Sequence, residues 1–254
     1  MPDAKPVIPV SAVGWRDVVP VLRPGELCLC RCEPGAGKAS LALGLVRDLV
    51  ARSAAPVHTI YVSTDLSEQV VTQKVVAAMT GLTYATLERC DLLADQQRAV
   101  DLAREAMMAW PLDILVMPGA SIDDIVAAVH HRDRATSGGI GALIVDYLNL
   151  ETLAAAWEVP DETMGAALLA LKALAVDLGV PVIAMAPPSD DELDEPDDVD
   201  AVLDLCLLED SAEGSLREVS LLLLRSSEGS TGGTRMVFDA GKMVHREWRA
   251  AAEN

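Results

Sequence analysis

Positive charge is what this sequence has least of. Its 254 residues carry 20 Lys and Arg against 39 Asp and Glu, a formal net charge of −19 at pH 7. Binding to nucleic acid draws most of its free energy from basic side chains and the counterions they release. The charge balance therefore argues against duplex DNA and anionic membranes as partners. A bilayer-spanning run is also lacking: the longest apolar region, 164–188, is broken by Lys172, Asp177 and prolines. The opening "MPDAKPVIPV" has neither the basic start nor the apolar core of a secretory signal. The five cysteines are odd in number and show no paired spacing of the zinc or disulfide kind, which fits a reducing compartment. These absences together lead us to expect a soluble, cytoplasmic protein. There is no internal repeat, and no linker long enough to separate a pair of domains. With 51% of residues apolar, the chain can bury one large core.

Short apolar runs alternate with segments of helical period. "ELCLCRC" precedes 38–53, "VHTIYVS" precedes 67–80, "LDILVMP" precedes 121–132, "ALIVDYL" precedes 161–178, and "VPVIAMA" follows. The runs are apolar throughout, as in strands covered on both faces, so the alternation predicts a mostly parallel sheet covered by helices. After residue 200 the helices stop. "AVLDLCLLE", "EVSLLLLRSS", "TRMVFDA" and "KMVHREW" read as antiparallel strands at the C-terminal end, with "SSEGSTGG" as a hairpin loop. Between the two halves, eight of the eleven residues 190–200 are acidic, which reads as a solvated loop. The organisation expected is an N-terminal extension over 1–12 and one α/β domain over 13–254.

The stretch "CEPGAGKAS" follows the first strand and opens a helix. It is close to a phosphate-binding loop, G-x-x-x-x-G-K-[ST], with Cys32 at the first glycine and Ala39 at the hydroxyl. In such a loop, backbone N–H groups and the positive end of the helix face the phosphates. Glu33, Pro34, Gly35, Ala36, Gly37, Lys38, Ala39 and Ser40 are therefore the candidate nucleotide-binding residues; the alternative is a plain strand–turn–helix with a surface lysine. Asp146 ends the strand "ALIVD", a Walker B shape, where a carboxylate holds Mg²⁺ directly or through water. A strand ending in Asp means little alone, but paired with the loop it is more specific. Cys28, Cys30 and Cys32 alternate along one strand and share a face, which suits core packing or, less simply, a metal.

In this order the motifs resemble the C-terminal RecA-like motor domain of DnaB-type replicative helicases, over almost the whole chain from about residue 13. "LRPGELCLCRCEPGAGKASLAL" is similar to that family's first strand and phosphate loop, and "YVSTDLSEQVV" to the strand that carries the catalytic acid. "ALIVDYLNL" is similar to the Walker B segment, "LKALAVDLGVPVIAM" to the next helix and strand, and "LLLLRSSEGSTGGTRMVF" to the late hairpin. The resemblance implies a P-loop, RecA-like fold in which Lys38 binds the phosphates of ATP or ADP. Asp65 would take the place of the catalytic glutamate, Asp146 would be the Walker B acid and metal ligand, and Arg225 would be an arginine finger serving a neighbouring subunit. From the residues alone, Asp65 reads equally as an acid near a helix N-terminus, and Arg225 as a strand-end surface arginine.

Several positions depart from the family pattern. Ala39 removes the hydroxyl that ligates Mg²⁺, and Ser40, one residue on, points roughly 100° away around the helix. Asp65 is a methylene shorter than glutamate, Pro187 stands at a γ-phosphate-sensing glutamine, and Leu223 at a lysine. Where the family has a basic DNA-facing loop, "ETLAAAWEVPDET" carries four acids, no base and Trp157. The reading is a nucleotide-binding domain with a degenerate site, Mg²⁺ weakly held, slow or no hydrolysis, and little or no affinity for nucleic acid. It would act by conformation or assembly, through a protein partner or self-association. Because the resemblance starts near residue 13, any ring is expected to be weaker than a helicase hexamer. A weak ATPase activity stays open. The rivals are an active ATPase motor and an interaction scaffold that binds no nucleotide.

Overall fold

The computed structural model describes residues 5–148, 164–188, 199–208 and 215–249. The segment read as an extension is packed onto the domain from Lys5 onward. Strand β1 (Ile8–Pro9) pairs with β2 (Val21–Leu22) across the short helix α1 (Trp15–Val18), and Ile8, Val10, Ala12 and Trp15 are buried. The Trp15 indole N–H donates to Leu41 O at 3.2 Å, and Lys5 Nζ donates to Ile140 O and Leu178 O.

The apolar runs become the strands β3 (Leu27–Cys32), β4 (Thr59–Ser63), β5 (Leu112–Val116), β6 (Ala142–Asp146), β7 (Val182–Ala186) and β8 (Ala201–Leu207). Three antiparallel strands follow: β9 (Leu216–Ser226), β10 (Gly232–Asp239) and β11 (Val244–Glu247). They form a nine-stranded sheet in the order β11-β10-β9-β8-β3-β7-β6-β4-β5, parallel from β8 to β5. The fold expected from the sequence, a mostly parallel sheet with antiparallel strands at its C-terminal end, is the one observed. Every residue of β4, β6 and β7 is buried, because helices cover both faces. Edge strand β5 is only half-buried.

On one face lie α2 (Lys38–Arg47), continued by a π-helical turn over Asp48–Arg52, and α3 (Glu68–Thr80). On the other lie α6 (Ile122–Ala135) and α7 (Met164–Leu178), so Leu27 and Leu29 face α7 while Cys28, Cys30 and Cys32 face α2. The three cysteines are buried in that apolar cluster, and among the described residues no group of three or more His, Cys, Asp and Glu side chains could hold a metal ion. Local chemistry sets the helix ends. Ser67 caps α3 by accepting from Val70 N, Gly81 closes it in the left-handed region, and Ser121 with Asp124 forms a capping box on α6.

Two helices have no counterpart in the periodicity reading: α4 (Tyr84–Arg89) and α5 (Ala94–Met108). Within α5 only Val100 and Ala103 are buried, packing with Val76, Ala77 and Leu87 as a satellite cluster, so its apolar stripe is too narrow to stand out. Among the described residues no helix is long and apolar enough to cross a membrane. Most of the acidic segment 190–200 lies outside the described residues, as do 151–163 with Trp157. Its final residue differs from a solvated loop: Asp200 accepts from Leu27 N and from Lys172 Nζ, each at 2.7 Å.

Asp200 thus pins the start of β8 to the start of β3. Asp200→Ala is expected to cost about 1–3 kcal/mol, since it strips the acceptor from a half-buried N–H and an ammonium. The check is a lower urea midpoint with an unchanged slope. Asp200→Asn, which keeps an acceptor for Leu27 N, should lose less.

Candidate functional site

The loop after β3 is shaped by two glycines and gripped from outside by the late strands. Gly35 and Gly37 have φ of 87° and 91°, a region L side chains rarely adopt. A Cβ on Gly37 would also lie 2.8 Å from the Phe238 ring and from His245 Cε1. On β9, Arg217 Nη1 donates to Gly35 O at 2.6 Å; on β11, the His245 Nε2–H donates to Ala36 O at 3.0 Å while its ring stacks on Phe238. Glu33 completes the frame by accepting from Leu207 N at 2.6 Å. With these carbonyls engaged outward, α2 begins at Lys38 and its first-turn N–H groups are left without intrahelical partners.

On the inner side, Lys38, Asp65 and Asp146 stand together. Lys38 Nζ lies 3.0 Å from Asp146 Oδ1, 3.4 Å from Asp65 Oδ2, and 3.2 Å from the centroid of the Tyr147 ring. Asp146 has no solvent exposure, and Tyr61 OH donates to its Oδ2 at 2.5 Å. Burial raises the Asp146 carboxyl above the ordinary range, with Lys38 and the Tyr61 hydrogen bond pulling the other way. Burial, then the Asp146 charge, pushes the Tyr61 phenol well up. Among the described residues Asp146 Oδ1 receives no aligned hydrogen bond, so its contact with Lys38 is ionic. Thr64 ties the strand ends together: its N–H donates to Asp146 O, its hydroxyl donates to Tyr147 O, and it accepts from Tyr147 N.

Other residues singled out from the sequence lie elsewhere. Ser40 is buried with its hydroxyl 3.9 Å from Met243 Sδ, and Ala39 is half-buried at the loop. Pro187 directly follows β7, and Leu223 is buried in the core. Arg225 pairs with Val202, which itself pairs with Leu29 near the start of β3, and its Nη2 donates to Val199 O. It therefore sits toward the opposite end of the sheet from Lys38 and takes no part in the cluster of its own chain. Sequence reasoning missed Tyr61, Thr64, Tyr147, Arg217, Phe238 and His245. Tyr61 and Tyr147 left a trace, as polar atoms inside or beside buried strands; the residues on β9–β11 left none.

A phosphate-type loop between a parallel strand and a helix, facing an acid at the end of the next strand but one, defines a RecA-like P-loop ATPase fold. The chain belongs to the DnaB-like helicase C-terminal domain family, whose match covers residues 17–190. It is 28% identical over 162 residues to the replicative DNA helicase DnaB of Treponema pallidum, covering 63% of this chain and 36% of that protein. With the DnaB of Leifsonia xyli it shares 24% over 179 residues, 70% of this chain and 38% of that one. The chain thus spans a little over a third of the length of these relatives. Among solved structures, a DnaB-like replicative helicase studied with primase aligns over 94% of this chain and 62% of its own, with a TM-score of 0.71 and 14% identity. A KaiC-like protein from Pyrococcus horikoshii aligns over 95% and 100%, with a TM-score of 0.61 and 14% identity.

Burial lowers the His245 imidazole from 6.5 to about 4. Above pH 6.5 both folded and unfolded chains keep it neutral and its contribution is intact. As the pH falls, the unfolded chain takes up a proton that the folded one refuses, and stability drops by about 1.4 kcal/mol per pH unit until roughly pH 4. Between pH 7 and pH 5 the protein should therefore lose about 2 kcal/mol more than His245→Gln does in urea titrations. The carboxyls of Asp146 and Glu26, raised by burial, titrate with the opposite sign but do so in both proteins. Parallel losses would remove His245 as the cause.

Proposed function

We propose that this domain binds ATP or ADP at the loop Glu33–Ser40 and hydrolyses it slowly or not at all, acting through conformation or assembly. The observation that carries the reading is the absence of a hydroxyl beside Lys38: Ala39 has none, and that of Ser40 faces Met243. The loop N–H groups and Lys38 suffice to hold phosphates, and binding would exchange the carboxylates now facing Lys38 for phosphate oxygens.

Mg²⁺ fits this site incompletely. Asp146 Oδ1 is a buried carboxylate oxygen without an aligned donor, suited to a metal or its water, but Ala39 adds no second ligand. When bound, the ion would neutralise charge across the β- and γ-phosphates. Asp65 would orient a water from a side chain one methylene short of glutamate, and Arg225 would serve only a neighbouring copy. The relatives' names refer to replicative helicases, and one solved relative is described with primase. For this chain we infer a protein partner or self-association and little affinity for single-stranded DNA, given the net charge of −19. The standing of Lys38, Asp65 and Asp146 in one cluster favours a second reading, an active ATPase.

Calorimetry with ATP and ADP, with and without Mg²⁺, tests the first reading. Affinity should depend little on Mg²⁺, and Lys38→Ala should weaken it by about 1.5–3 kcal/mol, the scale of a charge-assisted hydrogen bond. Ala39→Thr should make it Mg²⁺-sensitive. Mg²⁺-dependent turnover at about 1 s⁻¹ or faster would establish the active ATPase instead. The dissociation constant for single-stranded DNA should be no tighter than about 1 µM near 150 mM salt.

A further inference from the structure

On the flank of α2 that faces α3 lies a cavity of about 40 Å³, larger than the ~10–15 Å³ that one water requires. Ser40, Gly44 and Arg47 line it from one side of α2, Arg52 from the π-helical turn, Lys74 from α3, and Met243 from the turn before β11. Among the described residues no Asp or Glu lines it, in a chain where acids outnumber bases almost two to one. Beside Gly44 the space is free: a Cβ there would meet nothing within 4 Å.

The donors that converge on this cavity lack good acceptors. Among the described residues Arg47 Nε, which is buried, has no hydrogen-bond partner. Lys74 Nζ points to Met243 Sδ at 3.5 Å, and the Ser40 hydroxyl approaches the same sulfur, a weak acceptor. Burial, and then the like charge of Arg52, lower the Arg47 guanidinium; burial lowers the Lys74 ammonium against the opposing pull of the Asp146 and Asp65 carboxylates. The nearby carboxylate of Asp48 is occupied by the N–H and hydroxyl of Ser11. Two arginines held together against their like charge, a lysine beside them and an orphaned guanidinium N–H make this cavity a site built for an anion.

We propose that this cavity binds a phosphate-class oxyanion at a site distinct from the one at Lys38, sharing only Ser40 with the loop Glu33–Ser40. Arg47 supplies the planar donor fork, Arg52 and Lys74 supply charge, and Ser40 donates its hydroxyl. Arg47 follows Lys38 by nine residues, about 13 Å along the axis of α2. Lys38 is turned toward Asp146 and Asp65, so one small anion cannot bridge the two sites.

Inorganic phosphate is the probe, followed by calorimetry and by its ³¹P resonance. The wild-type chain should bind it saturably, and Lys38→Ala should retain a phosphate site of nearly unchanged affinity. The double variant Arg47→Met with Arg52→Gln should bind at least about tenfold more weakly. Gly44→Leu keeps every cation and favours the helix, yet fills the cavity, so it should lose the same site without losing stability. Loss of all phosphate binding in Lys38→Ala would overturn the proposal. So would undiminished affinity in Gly44→Leu or in the double variant, or no saturable binding by the wild type below about 10 mM.

Discussion

The carboxylate of Asp146 is the constraint around which the site is organised. A carboxylate removed from water is costly unless it is paired and hydrogen-bonded, and here the sheet supplies the hydrogen bond and α2 the pairing cation. Tyr61 pairs with Ile144, two residues before Asp146, so Tyr61 and Asp146 share the face toward α2 and the phenol reaches the carboxylate along the strand. Lys38 approaches from the first turn of α2 on that same face. Since β7 lies between β3 and β6, the lysine crosses over a neighbouring strand end to reach its partner. Strand order thus fixes the positions of Lys38 and Asp146, and Thr64 locks the ends of β4 and β6 in register.

The loop itself is held between that cluster and the antiparallel strands. Arg217 and His245 engage the carbonyls of two consecutive loop residues, and Phe238 fills the space that a side chain on Gly37 would need. The late strands are therefore the outer wall of the phosphate loop rather than an appendage of the sheet. His245 performs this role as a neutral donor, which its burial enforces. Any ligand favouring this loop geometry would stabilise the contact between the loop after β3 and strands β9–β11 by mass action.

Much of this was legible in the residues. Apolar runs of strand length separated by helical periods give the parallel sheet, and "CEPGAGKAS" after the first run gives the loop. The rotation of Ser40 away from the position of Ala39 follows from helix geometry, and its hydroxyl is found beside Met243. Helices α4 and α5 were not legible, because α5 buries only Val100 and Ala103 and reads as a polar segment. The place of Arg225, read as serving a neighbouring copy, was not legible from chain order either. Its motif follows the others in sequence, but an antiparallel strand runs back along the sheet and carries it away from the loop.

The sequence by itself determined the fold class, the phosphate-type loop, the acid ending β6 and the missing hydroxyl after Lys38. Each of these is written in consecutive residues, where backbone preference and apolar period act locally. Only the tertiary structure decided that Tyr61 shares the charge of Asp146, that Arg47, Arg52 and Lys74 surround one cavity, and that His245 braces the loop. Ala36 and His245 are 209 residues apart, and their contact arises because β8 and β9 reverse the chain beside β3. A hydrogen bond made across such a distance depends on sheet register and helix packing, which no local stretch of chain encodes.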